Sequence, residues 1–585
     1  MSFNKYYKDE LTFLAELGKE FAEENPQLAP FLAERGDDPD VERLLEGFAF
    51  LTGRLRQKLD DEIPELAHGL LSLLWPHYLR PVPAMSVLEF RPHKGLAEIK
   101  RIPRGVGVNS VPVEGTPCRF RTCYDVDLAP LEVESVGVTR TGGGGEVAVW
   151  LRLDPRAAIE KVGLTRLRFF LHGESYITTS LFVWLFRYLD SIAVTGLEDS
   201  ARVRFELPPD VISPVGFRPD EALLPYPDSA FSGYRLIQEY FALPEKYHFF
   251  EISGLGGLEQ MADEEGFRLL FRFAKPLEEQ VRLEKRHLVL HCTPIVNLFD
   301  LDGDPIRVDH ERTNYRLRPS ATPPSHYEIF DVKSVQGVLS GSAQRRVYHP
   351  FESFLHSDAP QGDGGLFYQR RIRPAVATEG VDTYLAFVDA LERDALPPTE
   401  TISIELVCSN RNLPEELKVG DIHRHTGTSP EFAEFRNLSG VSPNTPPPTE
   451  AGLAWRLISN LALNHLSLAS PEALREIMMT YDFRAYYDRT AQRRGQQRMQ
   501  GIEGVRNEPA DQLFGGLPVR GRRTILRLRE SRFGGEGEMF VFASVMNEFL
   551  ALYSSINSFS ELVVEGVEHG ETYHWPITLG PRPTL

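Results

Sequence analysis

Ser86-Val87-Leu88-Glu89-Phe90 marks the point that decides the fold, because from Val82 onward the apolar residues recur with a period of two. The side chains of a β-strand alternate between two faces, so this period predicts strands. The same pattern predicts further strands at residues 147–153, 167–171, 267–273, 288–292, 366–372, 383–388 and 402–407. Short strands punctuated by Gly and Pro predict β-rich, sandwich-like domains in the middle of the chain.

Helical spacing governs the first 75 residues instead, where three helices are predicted. The apolar stripes that carry this prediction include Tyr7, Leu11, Leu14, Phe21, Phe48 and Leu55. Residues 1–65 hold 16 Asp or Glu against 8 Lys or Arg, so the outer faces of these helices are acidic. Two interpretations stay open. The acidic face is simply solvated, or the helices enter a bundle shared with another chain, since three helices alone bury little apolar surface.

The whole chain is predicted to be a multi-domain α+β protein, because 585 residues exceed what one core supports. The predicted segments are an N-terminal helical segment (1–81), a β-rich domain (82–200), a mixed β-rich α+β domain (201–440) and a C-terminal α+β domain (441–585). Within them, helices are predicted at 175–189, 220–224, 229–241 and 540–556, and long loops at 356–365 and 492–512.

The clearest linker is the Pro-rich stretch 442–450, Ser-Pro-Asn-Thr-Pro-Pro-Pro-Thr-Glu. Such a composition is extended and semi-rigid. We hypothesise that it acts as a hinge, which would let two identical chains take different shapes within one assembly.

Residues 484–532 are locally basic, with 12 Arg and no Lys against five acidic residues. Arginine without lysine favours bidentate pairing with carboxylates. Arg493, Arg494 and Arg498 are therefore candidates for a contact with an acidic surface of another subunit. A plain solvated surface and a nucleic-acid contact are the alternatives.

Composition narrows the classes of function. The net charge of −19 would repel phosphate, so a general nucleic-acid binder is not expected. Four cysteines are too few for a disulfide framework, which favours a reducing cytoplasm. No Sec signal and no run of 18 apolar residues is visible, so no membrane insertion is expected.

Candidate chemistry is weak along the whole sequence. Asp300, Asp302, Asp304 and Glu311 resemble a calcium loop, but Pro305 stands where such a loop needs Gly, so a polar turn is preferred. The adjacent His291-Cys292 is a poor ligand pair, because neighbouring strand residues face opposite ways. A Cys292–His nucleophile and paired carboxylates of a carbohydrate-active β-protein stay open as enzyme alternatives. Nucleotide-binding, zinc-protease and serine-hydrolase motifs are not found.

Six signatures extend from end to end of the chain and look like packing, turns and protein surface. They are Leu74-Trp75-Pro76-His77-Tyr78-Leu79-Arg80-Pro81; Pro214-Val215-Gly216-Phe217 with its continuation to Phe241; His291-Cys292-Thr293-Pro294-Ile295-Val296-Asn297-Leu298-Phe299; Cys408-Ser409-Asn410-Arg411-Asn412-Leu413-Pro414; Trp455-Arg456-Leu457-Ile458-Ser459-Asn460; and Leu552-Tyr553-Ser554-Ser555-Ile556-Asn557-Ser558-Phe559. In this order and at these spacings they resemble the TssF family, also called VasA or ImpG, of type VI secretion system baseplate subunits.

The resemblance implies a structural, cytoplasmic protein with no reaction and no cofactor. It implies a wedge of two TssF copies with one TssG, placed around the VgrG spike hub, connected to the sheath through TssE and linked by TssK to the inner-membrane complex. The resemblance also implies likeness to wedge proteins of contractile phage tails, which is the alternative assignment. On this reading the helical stripes of the first 81 residues and the three arginines are candidate protein interfaces.

Overall fold

In the computed structural model, the chain divides into two units. Residues 1–79 with 449–462 form one unit, and residues 80–448 with 463–585 form the other. The structure describes residues 7, 11, 43, 46–54, 69–72, 75–141, 143–197, 202–227, 230–261, 264–308, 312–339, 345–351, 366–375, 380–389, 400–448, 470–514, 516–554 and 558–580. The loop predicted at 356–365 lies outside the described residues.

The smaller unit is helical wherever its residues before Trp75 are described. Tyr7, Leu11, Arg43 and the segments 46–54 and 69–72 are all in α-helix, and Pro76–Leu79 forms a 3-10 turn. This confirms the helical prediction for these residues.

The larger unit is dominated by strands. In chain order they begin with β1 Met85–Pro92, β2 Lys100–Ile102, β3 Gly107–Val113, β4 Thr116–Thr122, β5 Val126–Leu128, β6 Leu131–Thr141, β7 Gly144–Leu153, β8 Arg166–Leu171, β9 Leu189–Gly196, β10 Val203–Leu207, β11 Ile212–Val215, β12 Phe249–Ser253, β13 Gly266–Phe273, β14 Leu288–Leu290 and β15 Cys292–Val296. They continue with β16 Phe299–Asp302, β17 Ile306–Val308, β18 Tyr315–Arg316, β19 Glu328–Leu339, β20 Arg345–Pro350, β21 Leu366–Pro374, β22 Val381–Asp389, β23 Glu400–Ser409, β24 Ile422–Arg424, β25 Ala433–Asn437, β26 Ile502–Phe514, β27 Leu517–Leu528, β28 Phe559–Gly566, β29 Thr572–His574 and β30 Thr578–Leu579.

Among its described residues, the larger unit has fewer helices than strands. The α-helices are α1 Ile159–Val162, α2 Ser175–Val183, α3 Gly233–Ala242, α4 Pro471–Tyr481, α5 Arg484–Tyr487, α6 Arg489–Gln500, α7 Glu530–Phe533 and α8 Glu536–Ala551. A π-helical turn, Trp184–Tyr188, continues α2, and 3-10 turns lie at Pro209–Val211, Pro219–Glu221, Pro244–His248, Leu255–Gln260, Lys285–His287, Pro324–His326 and Leu413–Glu416. The mixture of several sheets with helices confirms the predicted α+β class.

The sheets combine strands that are far apart in sequence. One has the order β24-β3-β4-β15-β1-β25, so β1 pairs with β15 on one side and with β25 on the other. The others have the orders β10-β9-β13-β7-β6, β11-β12-β8-β14, and β16-β23-β19-β20-β21-β22-β18 with β17 also on β23; β2 pairs with β5. The first sheet joins strands from both predicted middle domains, 82–200 and 201–440. That these two segments fold as separate domains with a boundary at residue 200 stays a prediction.

The C-terminal segment is built on a long hairpin. β26 and β27 pair from Ile502 to Leu528, β27 runs parallel to β28, and α8 provides the crossover between these two. The loop predicted at 492–512 is therefore wrong: residues 489–500 form α6 and residues 502–514 form β26. In α6 only Gly495 and Met499 are buried, so no apolar stripe marked this helix.

The predicted strand 288–292 is also corrected. His291 has a φ of 56°, which ends β14 in one sheet and starts β15 in another. The His291 Nε2 accepts a hydrogen bond from the Ala129 amide at 3.2 Å and so fixes this corner. The predicted helix 220–224 is only the 3-10 turn Pro219–Glu221, because buried carboxylates accept hydrogen bonds from the amides of this stretch.

The C-terminal segment packs on the middle of the chain through aromatic rings. Tyr234 of α3 stacks on Tyr481 of α4 with ring centroids 4.7 Å apart, and Phe182 meets Phe540 of α8 edge to face. Gly537 allows α8 to approach α2 closely, because a Cβ there would lie 2.5 Å from the Thr179 hydroxyl.

The described part of the predicted hinge is held in place. The Val82 and Thr445 backbones exchange hydrogen bonds of 2.8 and 2.9 Å, and the Ser442 amide donates to the Met85 carbonyl at 2.8 Å. The Tyr487 hydroxyl also donates to the Pro447 carbonyl at 2.9 Å. The hinge hypothesis for 442–450 stays a prediction, and residues 449 and 450 lie outside the described ranges.

Candidate interaction surfaces and the buried charge network

The helical segment 46–54 presents large apolar side chains to solvent. Phe48 is 54% exposed, Phe50 47% and Leu51 66%, whereas Ala49 on the same segment is buried. Leu70, in the helical segment 69–72, is 41% exposed. Exposed apolar residues grouped on one helical segment mark a surface that gains free energy when another chain covers it.

The residues predicted for a helical interface fall into three groups. Phe48 is exposed, as a contact residue must be, and Tyr7 and Leu11 are half-buried in helix. Leu14, Phe21 and Leu55 lie outside the described residues. Leu51 belongs to the same predicted helical stripe as Phe48, whereas Phe50 lies outside that stripe, and neither Leu51 nor Phe50 is among the predicted interface residues. Their role stays a prediction together with that of Phe48.

The arginine-rich segment divides between surface and core. Arg493 and Arg494 are exposed on α6. Arg498 is half-buried, donates to the Glu538 carboxylate at 2.9 Å and lies 5.7 Å from the centre of the Tyr240 ring. Arg498 therefore ties α6 to α8 and α3 within the chain. Arg493 and Arg494 keep the exposure that a contact with another subunit needs.

The second signature folds around a buried ion pair. Glu239 of α3 and Lys246 are both fully buried and form a salt bridge. The other carboxylate oxygen of Glu239 accepts hydrogen bonds from the amides of Leu223 and Leu224, at 2.8 and 3.0 Å. Burial lowers the pKa of Lys246, while Glu239 opposes that change. The pair thus fixes the extended chain that precedes α3.

A second buried carboxylate shapes the turn at the start of this signature. Glu221 accepts hydrogen bonds from the amides of Gly216 at 2.7 Å and Arg218 at 3.1 Å, and pairs with the Arg218 guanidinium. Together with Glu239, it draws the amides of residues 216–224 away from helical partners. This is why a 3-10 turn replaces the predicted helix 220–224.

Two further signatures meet side by side. The Asn297 side chain donates to the Asn410 side-chain oxygen at 2.9 Å and to the Arg119 carbonyl at 2.7 Å, and its own oxygen accepts from the Asn410 amide at 2.6 Å. Both asparagines are fully buried. The signatures at 291–299 and 408–414 therefore hold the six-stranded sheet to the neighbouring one. Residues 455–460 of the fifth signature lie outside the described residues.

The residues considered as a nucleophile or as calcium ligands make hydrogen bonds or ion pairs within the chain. The buried Cys292 thiol donates to the Leu290 carbonyl, and burial raises its pKa well above the usual value, which disfavours the thiolate that a nucleophile needs. Burial also raises the pKa of Cys118 to about 11 and of Cys123 to about 12. Asp300 pairs with Lys333 at 2.6 Å, and Glu311 of the calcium pattern lies outside the described residues.

In the part of the chain that the structure describes, no helix is long and apolar enough to cross a bilayer. No group of three or more His, Cys, Asp or Glu side chains in the same ranges is arranged to hold a metal ion.

Interlocked sheets and an exposed apolar helical segment are typical of a subunit of a larger assembly. Comparison with known proteins narrows this class. The sequence model of the family described as Type VI secretion system, TssF, matches residues 1–582. The chain belongs to the TssF family of type VI secretion system proteins.

Individual relatives cover most or all of the chain. The type VI secretion system component TssF1 of Pseudomonas aeruginosa is 34% identical over 638 aligned positions, which span 99% of each protein. A chain of a TssK-TssF-TssG baseplate subcomplex, solved by cryo-electron microscopy, is 31% identical with a TM-score of 0.76, covering 92% of this chain and 99% of that one. A chain of a type VI baseplate complex is 28% identical with a TM-score of 0.64 and full coverage of both.

Proposed function

We propose that this chain is a structural wedge subunit of a type VI secretion baseplate that assembles with TssG and TssK and performs no catalysis. In this proposal two copies bind one TssG, the wedges surround the VgrG hub and contact TssE, and TssK docks the cytoplasmic assembly at the inner-membrane complex. The family membership and the similarity to a chain of a TssK-TssF-TssG subcomplex support the coarse assignment. The phage-tail alternative has no comparable support.

One observation carries the mode of assembly: the exposed Phe48, Phe50 and Leu51 on the helical segment 46–54. Burying one such side chain contributes about 1.5–3 kcal/mol. Covering all three in a bundle with TssG would therefore supply much of the free energy of a stable complex.

The first experiment is co-expression with TssG, followed by size-exclusion chromatography with light scattering. The expected mass is that of two copies of this chain with one TssG. A 1:1 complex would refute the stoichiometry, and a lone monomer that ignores TssG would refute the wedge assignment.

The variant Phe48→Ser/Leu51→Ser tests the helical surface and should weaken TssG binding by about 100-fold or more, because two buried apolar side chains are lost. Val419→Ser is the matched control, since Val419 is 60% exposed in the larger unit. Leu11→Asp/Leu14→Asp should likewise abolish co-purification while strands after residue 82 stay folded. Unchanged co-purification of both variants would remove these helices from the interface.

The arginine surface is tested by Arg493→Glu/Arg494→Glu, with the exposed Arg424→Glu as control. We expect weaker assembly that depends on salt concentration, because exposed charges are screened. A loss that salt does not change, or an equal loss in the control, would contradict an electrostatic contact.

A further inference from the structure

A cavity of about 530 Å³ lies between the end of β4, the extended chain 219–227 and α3. Three arginines line it: Arg104, Arg121 and Arg235. One wall is apolar and is formed by the run from Ala222 to Pro227. None of the described residues that line this cavity is Asp or Glu, so its lining charge is wholly positive. We refer to it as the arginine cavity.

Within the described part of the chain, the guanidinium groups of Arg104 and Arg235 donate only to backbone carbonyls. Arg104 donates to the Asp220 carbonyl at 3.1 Å. Arg235, which is 5% exposed, makes long hydrogen bonds to the Pro219 and Arg218 carbonyls at 3.3 and 3.5 Å, and its Nε has no hydrogen-bond partner. No ion pair joins any of the three to a described carboxylate.

The charges behind the cavity do not compensate Arg235. Glu239 is paired with Lys246, and Glu221 is paired with Arg218 at 2.9 Å, so each carboxylate already has a cation. Arg235 is left as a buried positive charge, and it adds to the lowering of the Lys246 pKa that burial causes. A buried charge without a counter-charge is costly, so an anion that enters the cavity would be bound strongly.

We propose that the arginine cavity binds an extended acidic segment of a partner chain, whose carboxylates pair with Arg104, Arg121 and Arg235. Clustered arginines recognise acidic motifs through bidentate hydrogen bonds. The apolar wall favours a peptide over a free small anion, because leucine-like side chains between the carboxylates would cover the accessible Pro225 and Tyr226. The source of the segment, a subunit of the baseplate, rests on the proposed function; the site itself does not.

Fluorescence polarisation on the isolated full chain tests this site. The probe is the fluorescein-labelled peptide Glu-Leu-Asp-Glu-Leu-Asp, and the comparison peptide carries Gln and Asn in place of the acids. We expect the acidic peptide to bind at least about 10-fold more tightly than the comparison peptide, because hydrogen bonds to charged groups contribute more binding free energy than neutral ones. Equal binding of the neutral peptide would overturn the proposal.

Variants assign the binding to the cavity. Arg104→Glu/Arg121→Glu changes one exposed and one half-buried residue, so folding should persist, and binding should fall by about 10-fold or more. Arg235→Lys keeps the charge but not the bidentate geometry, and should weaken binding by a smaller factor. Arg307→Glu, an exposed arginine on β17, is the matched control. An equal loss in Arg307→Glu would overturn the assignment.

Two outcomes would identify a different occupant. If inorganic phosphate binds and raises the stability of the fold but the acidic peptide does not bind, the arginine cavity is a site for small anions. Asp228 lies outside the described residues, between Pro227 and Ala230; tighter peptide binding by Asp228→Asn would identify the chain's own carboxylate as the occupant. Because TssG is absent from these measurements, their failure leaves the wedge assignment to be decided by co-purification.

Discussion

The buried pair of Glu239 and Lys246 offers a sharp test of what the second signature does. The variant Glu239→Gln keeps an oxygen that accepts the Leu223 and Leu224 amides, and it removes the negative charge. Lys246 then remains fully buried near Arg235 without its counter-charge. The change therefore isolates the electrostatic part of the network from its hydrogen bonds to the backbone.

The expected loss follows from the burial of both partners. Removing one member of a buried ion pair costs about 3–5 kcal/mol, because the other charge is left without compensation. If this loss acts on the local opening of residues 216–250, amide exchange there should accelerate by about 100-fold or more. The loss should shrink as pH rises. Glu239 raises the Lys246 pKa, so its removal lets Lys246 give up its proton at a lower pH and escape the cost of a buried charge.

Hydrogen exchange with mass spectrometry, read at the peptides that contain Leu223 and Leu224, measures this directly. The double variant Glu239→Gln/Lys246→Met removes both charges and should recover part of the lost protection, as a double-mutant cycle requires for coupled residues. Unchanged exchange at these amides in Glu239→Gln, or a double variant no better protected than the single one, would refute the account of the pair as a mutually dependent unit.

Three further predictions concern stability, measured as unfolding in urea. Arg498→Met should cost about 2 kcal/mol, because it breaks a charge-assisted hydrogen bond and a cation–π contact. The exposed Arg493→Met should change stability by less than about 0.5 kcal/mol. Equal effects of the two variants would contradict the division of these arginines between core and surface. Gly216→Ala should cost about 1–3 kcal/mol, because φ is +109° and a Cβ would lie 2.8 Å from the Lys246 carbonyl, whereas Gly427→Ala meets open space and should be tolerated. Burial raises the pKa of Asp482 to about 6, above its ordinary 3.8, so the folded state holds this proton more tightly. The stability that this contributes is full below pH 3.8 and is lost as pH rises through 6. Relative to the wild type, the free energy of unfolding of Asp482→Asn should therefore rise by up to about 3 kcal/mol between these two pH values. Parallel pH profiles of the two proteins would contradict this prediction.

Strands were predictable where the residues of one face are fully buried and those of the other face are partly accessible. The alternation in residues 147–153 and 267–273 led directly to β7 and β13, which pair with each other in the structure. Helix α6 was missed for the opposite reason. Its Arg and Gln residues have good helix propensity, but with only Gly495 and Met499 buried it leaves no apolar period to detect.

The buried charges were beyond sequence reasoning. Lys and Glu are almost never fully buried unless paired, so a sequence gives every reason to place Glu239 and Lys246 on the surface. The pairing depends on the 3-10 turn Pro244–His248, which brings residue 246 back towards α3. The exposure of Leu51 was hidden in the same way, because an apolar helical stripe looks identical whether its own chain or another covers it.

The position of β1 between β15 and β25 has a consequence for synthesis of the chain on the ribosome. β1 is complete at Pro92, but its second neighbour ends only at Asn437, about 340 residues later. At the usual rates of translation this is a delay of roughly 20–70 s. β15 can cover one edge of β1 once residue 296 has been made, but the edge that pairs with β25 stays open for the whole delay, so the nascent chain is exposed to edge-to-edge aggregation until β25 emerges.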